Sequence, residues 1–419
     1  MAGLTAAAYL SEKNIKVTLL ESSPKLGGRA SSFFYKPENM FVDNGQHILM
    51  GCYENTLSFI KMIGSQNELE KTNVPEIPFI DSNGKIHSLS AKKGFYPFNL
   101  LTAISNFTLL SKPERRKLIS FLLKLKFSKC KKNKSDNAVE LLRKNGQSED
   151  AIDKFWKLII ASVFNCEGEK ISAEVFSNVI KIVFFSGKGS SDIILPKNSL
   201  AELFSIPAKN FIEKKNGIIL QKERVIKIKT GKDRITEVVT VQKAFSDFDY
   251  VISALPYENL INILPEKYAS EFNFRFEFSP ILSAHLFLEN YHQKKKYFGF
   301  VKSPIDWIFN KNNVISVVKS NSFEFAKMQI NDIKRIIIKE LDAKIDGFDK
   351  NMLKTVKIIK ERKATFTNTP ETEEFRRKFG LKLNNLAIAG DWTNTKLPST
   401  MESAVKSGFI AAEKILNLL

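Results

Sequence analysis

A short stretch near the C-terminus combines a glycine, a carboxylate and the start of a helix. Residues 386–389 (Leu-Ala-Ile-Ala) are an apolar run typical of a buried strand, and Gly390–Asp391 follows directly. Ser399 or Thr400 then caps a helix that carries Glu402 in its first turn. Glycine lets backbone approach a ligand, a carboxylate accepts hydrogen bonds from sugar hydroxyls, and a helix N-terminus favours anionic groups. The stretch therefore indicates a cofactor site, although an ordinary strand–helix unit with a solvent-facing aspartate also fits.

The N-terminal residues carry a second set of groups suited to a nucleotide. Residues 1–11 are small, apolar and helical, and Gly3 matches the third glycine of a G-x-G-x-x-G fingerprint. A strand predicted over 17–20 ends in Glu21, which lies 21 − 3 = 18 positions after Gly3. This spacing is close to the ~20 expected for the acid that binds an adenosine ribose. The pattern predicts the first part of a dinucleotide-binding fold.

A glycine pair follows in the next loop. Gly27 and Gly28 bring backbone N–H groups close to where a diphosphate would lie, and Arg29 can pair with it. A lone fingerprint is weak evidence. Its combination with this Gly-Gly-Arg segment and with the Gly-Asp stretch near the far end of the chain predicts an α/β, doubly wound fold of Rossmann type.

One part of the fingerprint has no counterpart. The first strand and the first two glycines are missing, because the sequence starts inside the motif. In a doubly wound sheet that strand is central, so its loss would leave a slot between unpaired strand edges. We therefore expect Met1 to be an internal methionine, with roughly ten or more residues upstream of it.

A polar segment follows a predicted hairpin around residues 33–42. Asp43, Asn44, Gly45, Gln46 and His47 supply donors and acceptors between apolar runs. His47 is one of only four histidines, and a histidine here could transfer protons beside a cofactor. A polar cluster that only satisfies a buried turn is the alternative interpretation.

Composition limits the class of protein. The net charge of +19 comes from dispersed lysines and is compatible with an acidic partner such as anionic lipid, or with a lysine-rich genomic bias. No nucleic-acid recognition module is present.

Cys52, Cys130 and Cys166 lack CxxC spacing, so they indicate no disulfide framework and no metal site, and they fit a reducing, cytoplasmic compartment. No signal peptide and no apolar run of ~18 residues is seen, so the chain is not expected to span a membrane.

The character of the sequence alternates along the chain. Nucleotide-domain patterns occupy residues 1–74, 191–275 and 376–419, whereas 75–190 and 276–375 have the character of an interleaved α+β substrate domain.

An apolar stretch over 95–110 is flanked by Lys92, Lys93 and Lys112, and Pro97 interrupts it. Such a segment can lie in a membrane interface, as a peripheral contact, or pack as a helix within the substrate domain.

These motifs, taken in order, resemble the squalene-associated FAD-dependent desaturases of hydroxysqualene dehydroxylase type, within the flavin amine oxidase and phytoene desaturase superfamily. The likeness covers nearly the whole chain. The segments that carry it are Gly27–Arg29, Asp43–His47, Phe155–Trp156, Ser191–Pro196, Arg362–Thr365, Gly390–Thr393 and Leu397–Glu402.

The resemblance implies FAD as the cofactor and an apolar isoprenoid as the substrate, with hydroxysqualene reduced to squalene in hopanoid biosynthesis. Such chemistry needs one proton donor: His47 is the first candidate, and Glu402 or Asp43 the second. The residues implied to contact FAD are Gly3, Glu21, Gly27, Gly28, Arg29, Gln46, Val225, Gly390, Asp391 and Met401.

Two other functions remain open at this point. A carotenoid-type desaturase or isomerase would use the same fold on a polyene. A non-catalytic FAD-fold scaffold that binds a squalene-pathway synthase would need no chemistry at all. An amine oxidase is less compatible, since no acidic or aromatic set for an ammonium group is evident.

Overall fold

The computed structural model describes residues 1–71, 76–91, 96, 98–129 and 136–419. Cys130, Pro97, Lys92, Lys93 and the predicted boundary at 74/75 lie outside these residues. The α-helices are α1 Ala2–Glu12, α2 Glu54–Met62, α3 Phe98–Ser105, α4 Lys112–Lys126, α5 Ala138–Lys144, α6 Glu149–Ala151, α7 Lys157–Phe164, α8 Ala173–Phe185, α9 Ile206–Lys214, α10 Tyr257–Ile263, α11 Glu266–Ala269, α12 Phe323–Lys327, α13 Ile330–Lys344, α14 Pro370–Lys378 and α15 Met401–Leu416.

The strands confirm the predicted mixture of helix and sheet. They are β1 Thr18–Glu21, β2 Ser32–Tyr35, β3 Met40–Asp43, β4 Leu49–Met50, β5 Leu69–Lys71, β6 Glu76–Ile80, β7 Ile86–Ser90, β8 Ile193–Pro196, β9 Ile218–Gln221, β10 Val225–Gly231, β11 Arg234–Thr240, β12 Ala244–Phe245, β13 Val251–Ser253, β14 Phe278–Leu288, β15 Tyr297–Phe300, β16 Trp307–Lys311, β17 Val314–Lys319, β18 Leu353–Phe366 and β19 Leu386–Ile388.

Two parallel ladders form the nucleotide-binding part. β1 pairs with β9, and β13 pairs with β19. Parallel strands need crossover connections, and α1 and α15 lie against these ladders as covering helices. Among the described residues no strand hydrogen-bonds to both ladders, and a strand contributed from upstream of Met1 stays a prediction. The register of β13 with β19 covers three residue pairs.

A second sheet of seven strands has the order β18-β14-β17-β16-β15-β6-β7 and is antiparallel except between β15 and β6. Alternate residues of β14, among them Leu282, Ala284 and Leu286, pack in one core with Ile333 and Ile337 of α13. Because side chains alternate along a strand, Ser283 and His285 face the other side of the sheet. This face meets the nucleotide-binding part.

Helices α4, α5, α7 and α8 share one apolar core with Phe79 and Trp307 of the second sheet. Trp156 is buried there, and its indole Nε1 donates to Gln147 Oε1 at 3.1 Å. A π-helical turn over Ile152–Trp156 directly precedes α7. None of the helices in the described part of the chain is long and apolar enough to cross a bilayer.

The closest helix contact in the nucleotide-binding part is between α1 and α15. Gly408 of α15 lies against the backbone of α1, and a methyl group at this position would approach Thr5 Cβ at 2.8 Å and Ala6 N at 3.2 Å. Backbone atoms cannot give way as a flexible side chain can, so the helices can approach this closely only with glycine here.

Gly408→Ala is therefore expected to lower the free energy of unfolding by ~1–3 kcal/mol, the usual cost of overpacking. Urea unfolding followed by circular dichroism would measure it. Gly380→Ala is the matched control, because a Cβ there meets no atom within 4 Å, and its effect should stay within about 0.5 kcal/mol. Equal stability of the two variants would contradict this account of the α1–α15 contact.

Candidate active site

An ion pair joins the two motifs that are most distant in the sequence. Arg29 Nη2 lies 2.5 Å from Asp391 Oδ1, and Arg29 Nη1 donates to the carbonyl oxygen of Ala364 at 2.9 Å. Asp391 is buried, whereas the Arg29 side chain is 45% exposed. The guanidinium thus reaches from the glycine-pair loop across the end of β18 to the carboxylate that follows β19.

Side chains from α15 and from the loop before it hold the Gly390–Asp391 turn. Ser399 Oγ donates to Asp391 Oδ2, and Ser407 Oγ accepts from the Gly390 N–H at 2.8 Å. Gly390 has φ +149, and a Cβ there would lie 2.6 Å from Trp392 Nε1, so no other residue fits. Thr400, rather than Ser399, caps α15 by accepting from the Ser403 N–H. The carboxylate therefore stands beside a helix N-terminus, as predicted.

A buried arginine that sequence reasoning missed supports the loop after Asp391. The Arg376 guanidinium donates to the carbonyl oxygens of Asp391 at 3.2 Å, Thr393 at 2.6 Å and Leu397 at 3.0 Å. Its charge is balanced by Glu373, whose Oε1 lies 2.7 Å from Nη1. Arg376 belongs to the charged run Glu371–Lys378, which is typical of a solvated helix. Only the i, i+1, i+4 spacing of the buried Thr372, Glu373 and Arg376 indicates an inward face.

Glu21 and Val225 lie at the other end of the site. Glu21 is the last residue of β1, and its carbonyl oxygen accepts from the Glu223 N–H at 2.9 Å, two residues before Val225 begins β10. Glu223 is buried, and its Oε1 has no partner among the described residues. Sequence reasoning missed this carboxylate, since nothing in the strand pattern distinguishes it. Acceptors at this point suit the hydroxyl and amino groups of an adenosine.

The Asp43–His47 segment lies between the glycine-pair loop and the seven-stranded sheet. Asn44 Nδ2 donates to the Arg29 carbonyl oxygen. On the other side His285 Nε2 lies 3.1 Å from the Asp43 carbonyl oxygen, and His285 Nδ1 lies 2.9 Å from Ser316 Oγ. A Cβ on Gly45 would lie 3.1 Å from Ser283 Oγ. The face of β14 that carries Ser283 and His285 thus closes over this segment.

The two histidines at this junction are uncharged at neutral pH. Burial lowers the pKa of His47 to about 4. Burial also lowers the pKa of His285 to about 4, although its hydrogen bond to the Asp43 carbonyl oxygen acts the other way. His285 is thus satisfied on both nitrogens, whereas His47 Nε2 is buried with no partner among the described residues. The His47 imidazole is available to a ligand.

The two carboxylate candidates have structural partners. Asp43 Oδ1 accepts from Ser32 Oγ at 2.6 Å and from the Leu200 N–H at 2.9 Å. Burial raises the pKa of the Asp43 carboxyl, and these two hydrogen bonds oppose that shift.

Glu402 is more fully occupied. Its two oxygens accept four hydrogen bonds, from the N–H and side-chain groups of Asn55 and Thr56 at 2.7–3.0 Å. The carboxylate therefore ties α15 to the N-terminal end of α2, where a negative charge is favourable.

The other predicted contacts have the following positions. Gly3 lies in the first turn of α1, where a Cβ would approach Ala254 Cβ at 3.1 Å, and Met401 is the first residue of α15. Gln46 Nε2 donates to the His47 carbonyl oxygen at 3.4 Å. Gly27 and Gly28 have φ values of +104 and +62 in the loop after β1. Gly3, Gly27 and Met401 thus belong to the chain segments around the Arg29–Asp391 pair.

The residues present fit a flavin dinucleotide. The glycine-pair loop and Arg29 offer donors for a diphosphate, Glu21 and Glu223 offer acceptors for an adenosine, and the start of α15 offers a helix N-terminus. His47, in the segment next to the glycine-pair loop, has an unpartnered Nε2. These features define a dinucleotide-dependent oxidoreductase.

Comparison with known proteins gives the family. The sequence profile of flavin containing amine oxidoreductase matches residues 1–295 and 314–416, and the chain belongs to this family. It is 26% identical to the hydroxysqualene dehydroxylase of Zymomonas mobilis over 100% of this chain and 97% of that protein. It is 25% identical to the corresponding enzyme of Sinorhizobium fredii, over 100% and 96%. A 15-cis-phytoene desaturase of Synechococcus elongatus is 21% identical, over 99% and 94%.

Solved structures agree on the fold. An oxidoreductase from Methanosarcina mazei superposes with a TM-score of 0.75 at 14% identity, over 99% of this chain and 98% of that one. Putrescine oxidase bound to putrescine superposes with a TM-score of 0.72 at 11% identity, over 99% and 97%. The chain is therefore an FAD-dependent oxidoreductase of the carotenoid and squalene desaturase type.

Arg376 should control FAD affinity through the loop that it holds. Arg376→Lys keeps a positive charge for Glu373 but cannot reach several carbonyl oxygens at once. We expect it to weaken FAD binding by about tenfold or more, since hydrogen bonds to charged groups contribute ~1.5–3 kcal/mol each. Titration with FAD, followed by flavin fluorescence, would measure the dissociation constant.

Arg377→Lys is the matched control, because the neighbouring Arg377 side chain is 49% exposed. Its FAD affinity should remain within about twofold of the unsubstituted protein. Unchanged FAD affinity in Arg376→Lys, together with a lower melting temperature, would show that Arg376 supports the fold alone.

Proposed function

We propose that the protein removes the hydroxyl group of hydroxysqualene by reduction and releases squalene. The observation that carries this proposal is the similarity, end to end, to three hydroxysqualene dehydroxylases at 24–26% identity. The site supports it in chemical terms, since it combines a flavin-binding frame with a buried histidine that has a free nitrogen.

The reaction balances with one hydride and one proton. The allylic C–O bond breaks, its electron pair leaves with oxygen, and the proton converts the leaving hydroxide into water. Hydride then forms the new C–H bond at the allylic carbon. Reduced FAD, when bound, supplies that hydride.

The chain's own residues contribute binding and orientation. Arg29, the glycine-pair loop and Asp391 would hold the dinucleotide, and Glu21 and Glu223 its adenosine end. His285 fixes the Asp43–His47 segment against β14 by its hydrogen bond to the Asp43 carbonyl oxygen. The segment then presents the His47 imidazole at a fixed position.

The core next to the Asp43–His47 segment is apolar. The apolar core of helices α4, α5, α7 and α8 contains Phe79, Phe155, Trp307 and Phe309. Ile48, which directly follows His47, packs against this core. An apolar wall excludes water from a short-lived allylic cation and suits a hydrocarbon substrate.

His47 is the proton donor in this proposal. Its pKa of about 4 makes the imidazolium a strong acid, which protonation of an alcohol needs, although little imidazolium exists at neutral pH. The unpartnered Nε2 can reach a ligand without breaking a hydrogen bond within the described part of the protein. Glu402 is less suitable, because its oxygens already accept four hydrogen bonds.

A carotenoid-type desaturation is the second candidate. The phytoene desaturase of Synechococcus elongatus is also similar over 99% of this chain, although at 21% identity. That reaction would run in the opposite redox direction, with oxidised flavin accepting hydride, and would need no proton donor. The family assignment favours either enzyme over a non-catalytic scaffold.

The proposed reaction can be tested directly. The protein, loaded with FAD and reduced with dithionite under anaerobic conditions, is incubated with hydroxysqualene, and the product is identified by mass spectrometry. We expect squalene to appear together with reoxidation of the flavin. Oxidised flavin with phytoene is the parallel assay. Turnover of phytoene alone, with no squalene formed, would replace the proposal with the second candidate.

The pH dependence of the rate tests His47. If the His47 imidazolium donates the proton, the rate should fall about tenfold per pH unit above pH 4, because its concentration falls by that factor. His47→Gln should be slower by about 10²–10⁴-fold and lose this slope. His292→Gln, at an exposed position, is the control and should keep both rate and slope. A slope that survives in His47→Gln but is lost in Asp43→Asn would assign the proton to Asp43.

A further inference from the structure

Helix α4 has one buried face and one face with an unusual composition. Leu118, Phe121, Leu122 and Leu125 pack inward. The outward positions include Arg116, Lys117, Ser120, Leu123, Lys124 and Phe127. Basic side chains thus share the outer surface with large apolar ones.

The exposed apolar side chains of this region are large. The exposed fraction is 62% for Phe127, 65% for Phe98 and 37% for Leu123. Helices α3 and α4 are neighbours, and Arg115 near the start of α4 donates to the carbonyl oxygen of Ser105 at the end of α3. Leu123 and Phe127 line one depression together with Arg116, Lys124 and Lys129. Large apolar side chains are thus open to solvent on this part of the helix pair.

The charge of α4 is strongly positive. The helix carries six basic residues and one acidic one, which gives 6 − 1 = +5. The acidic residue, Glu114, is occupied by Ser111 in the capping box and by Ser148 Oγ at 2.8 Å. None of the six basic side chains forms an ion pair with another of the described residues. Their charge is free for an external partner.

Neighbouring residues extend this charge. Lys181 of α8 places its Nζ 3.0 Å from Ser128 Oγ, at the C-terminal end of α4. Lys126 Nζ lies 5.9 Å from the ring centroid of Phe127 and 5.5 Å from that of Phe185. Lys126 therefore lies beside the exposed Phe127 ring, and Lys181 adds a further positive charge next to Ser128.

We propose that this surface docks the protein on a membrane that contains anionic lipid. The docking face consists of Arg116, Leu123, Lys124, Phe127 and Lys129. Its lysines and arginine would meet the phosphate headgroups, while Phe127 and Leu123 enter the boundary between headgroups and acyl chains.

The mixture of side chains favours lipid over other acidic partners. Nucleic-acid phosphates are bound by cations in a groove, together with polar or stacking side chains that read bases. Here Leu123 and Phe127 stand among basic side chains around a shallow depression beside α4, and large apolar groups among basic ones are typical of helices that lie in a membrane interface. If the substrate is the apolar isoprenoid proposed above, the same surface would also bring the protein to where that substrate dissolves, but the docking argument does not depend on it.

Flotation of the full-length, FAD-loaded protein with lipid vesicles tests the docking face. We expect binding to vesicles of phosphatidylcholine with phosphatidylglycerol, little binding to pure phosphatidylcholine, and loss of binding as salt is raised. Phe127→Ser should lower the partition coefficient about tenfold or more, as follows from the transfer free energy of one phenylalanine. The double variant R116E/K124E should abolish binding.

Matched variants separate the docking face from general surface properties. Phe323→Ser removes another exposed phenylalanine, and K214E/K215E makes the same charge change on α9; both should bind as the unsubstituted protein does. Circular dichroism would verify that each variant is folded. Equal binding by all variants, or equal binding to neutral vesicles, would overturn the proposal. So would binding of a single-stranded RNA that persists in Phe127→Ser while no vesicle binds.

The same variants separate docking from catalysis. Assayed on detergent-solubilised hydroxysqualene, R116E/K124E should retain the rate of the unsubstituted protein, because its substitutions lie outside the flavin site. Absence of turnover in all forms, with vesicle binding intact, would refute the proposed reaction and leave the docking face standing.

Discussion

The ion pair between Arg29 and Asp391 joins the beginning and the end of the chain at one point. Because the Arg29 side chain is nearly half exposed, solvent screening keeps its contribution to stability modest. Its geometric consequence is larger, since the guanidinium also donates to Ala364 at the end of β18. Three segments, the glycine-pair loop, the second sheet and the turn after β19, are thereby held around a single charged centre. The candidate site lies where these three segments meet.

Arg376, Glu373 and Glu402 are buried charges near this ion pair, and each of them has structural partners. Arg376 and Glu373 neutralise each other below the loop after Asp391, and Glu402 accepts four hydrogen bonds from α2. Removing one member of such a set leaves a buried charge or donor uncompensated, which costs ~3–5 kcal/mol for an ion pair. Groups whose hydrogen bonds hold the fold together in this way are poorly suited to exchange protons. His47 stands apart, because its Nε2 has no such partner among the described residues.

The sequence predicted elements well and long-range partners poorly. The strands that end in Glu21 and before Gly390, the hairpin around residues 33–43 and the α15 cap follow from periodicity and local turn chemistry, which act over a few residues. Arg376 looked solvated because burial depends on what the fold brings to its side of α14. His285 was missed because its role depends on the register of β14 with β17 and on a carbonyl oxygen 242 positions away. The family resemblance indicated FAD because its motifs are local.

The Asp43–His47 segment lies between a charged region and the second sheet. On one side Asn44 donates to the Arg29 carbonyl oxygen, in the charged region. On the other, His285 and Ser283 of β14 close over it, and burial keeps both histidines neutral. A charged histidine here would need a counter-ion, and none of the described carboxylates pairs with His47 or His285. The low pKa values of His47 and His285 are therefore a result of burial at the junction of this segment with the second sheet.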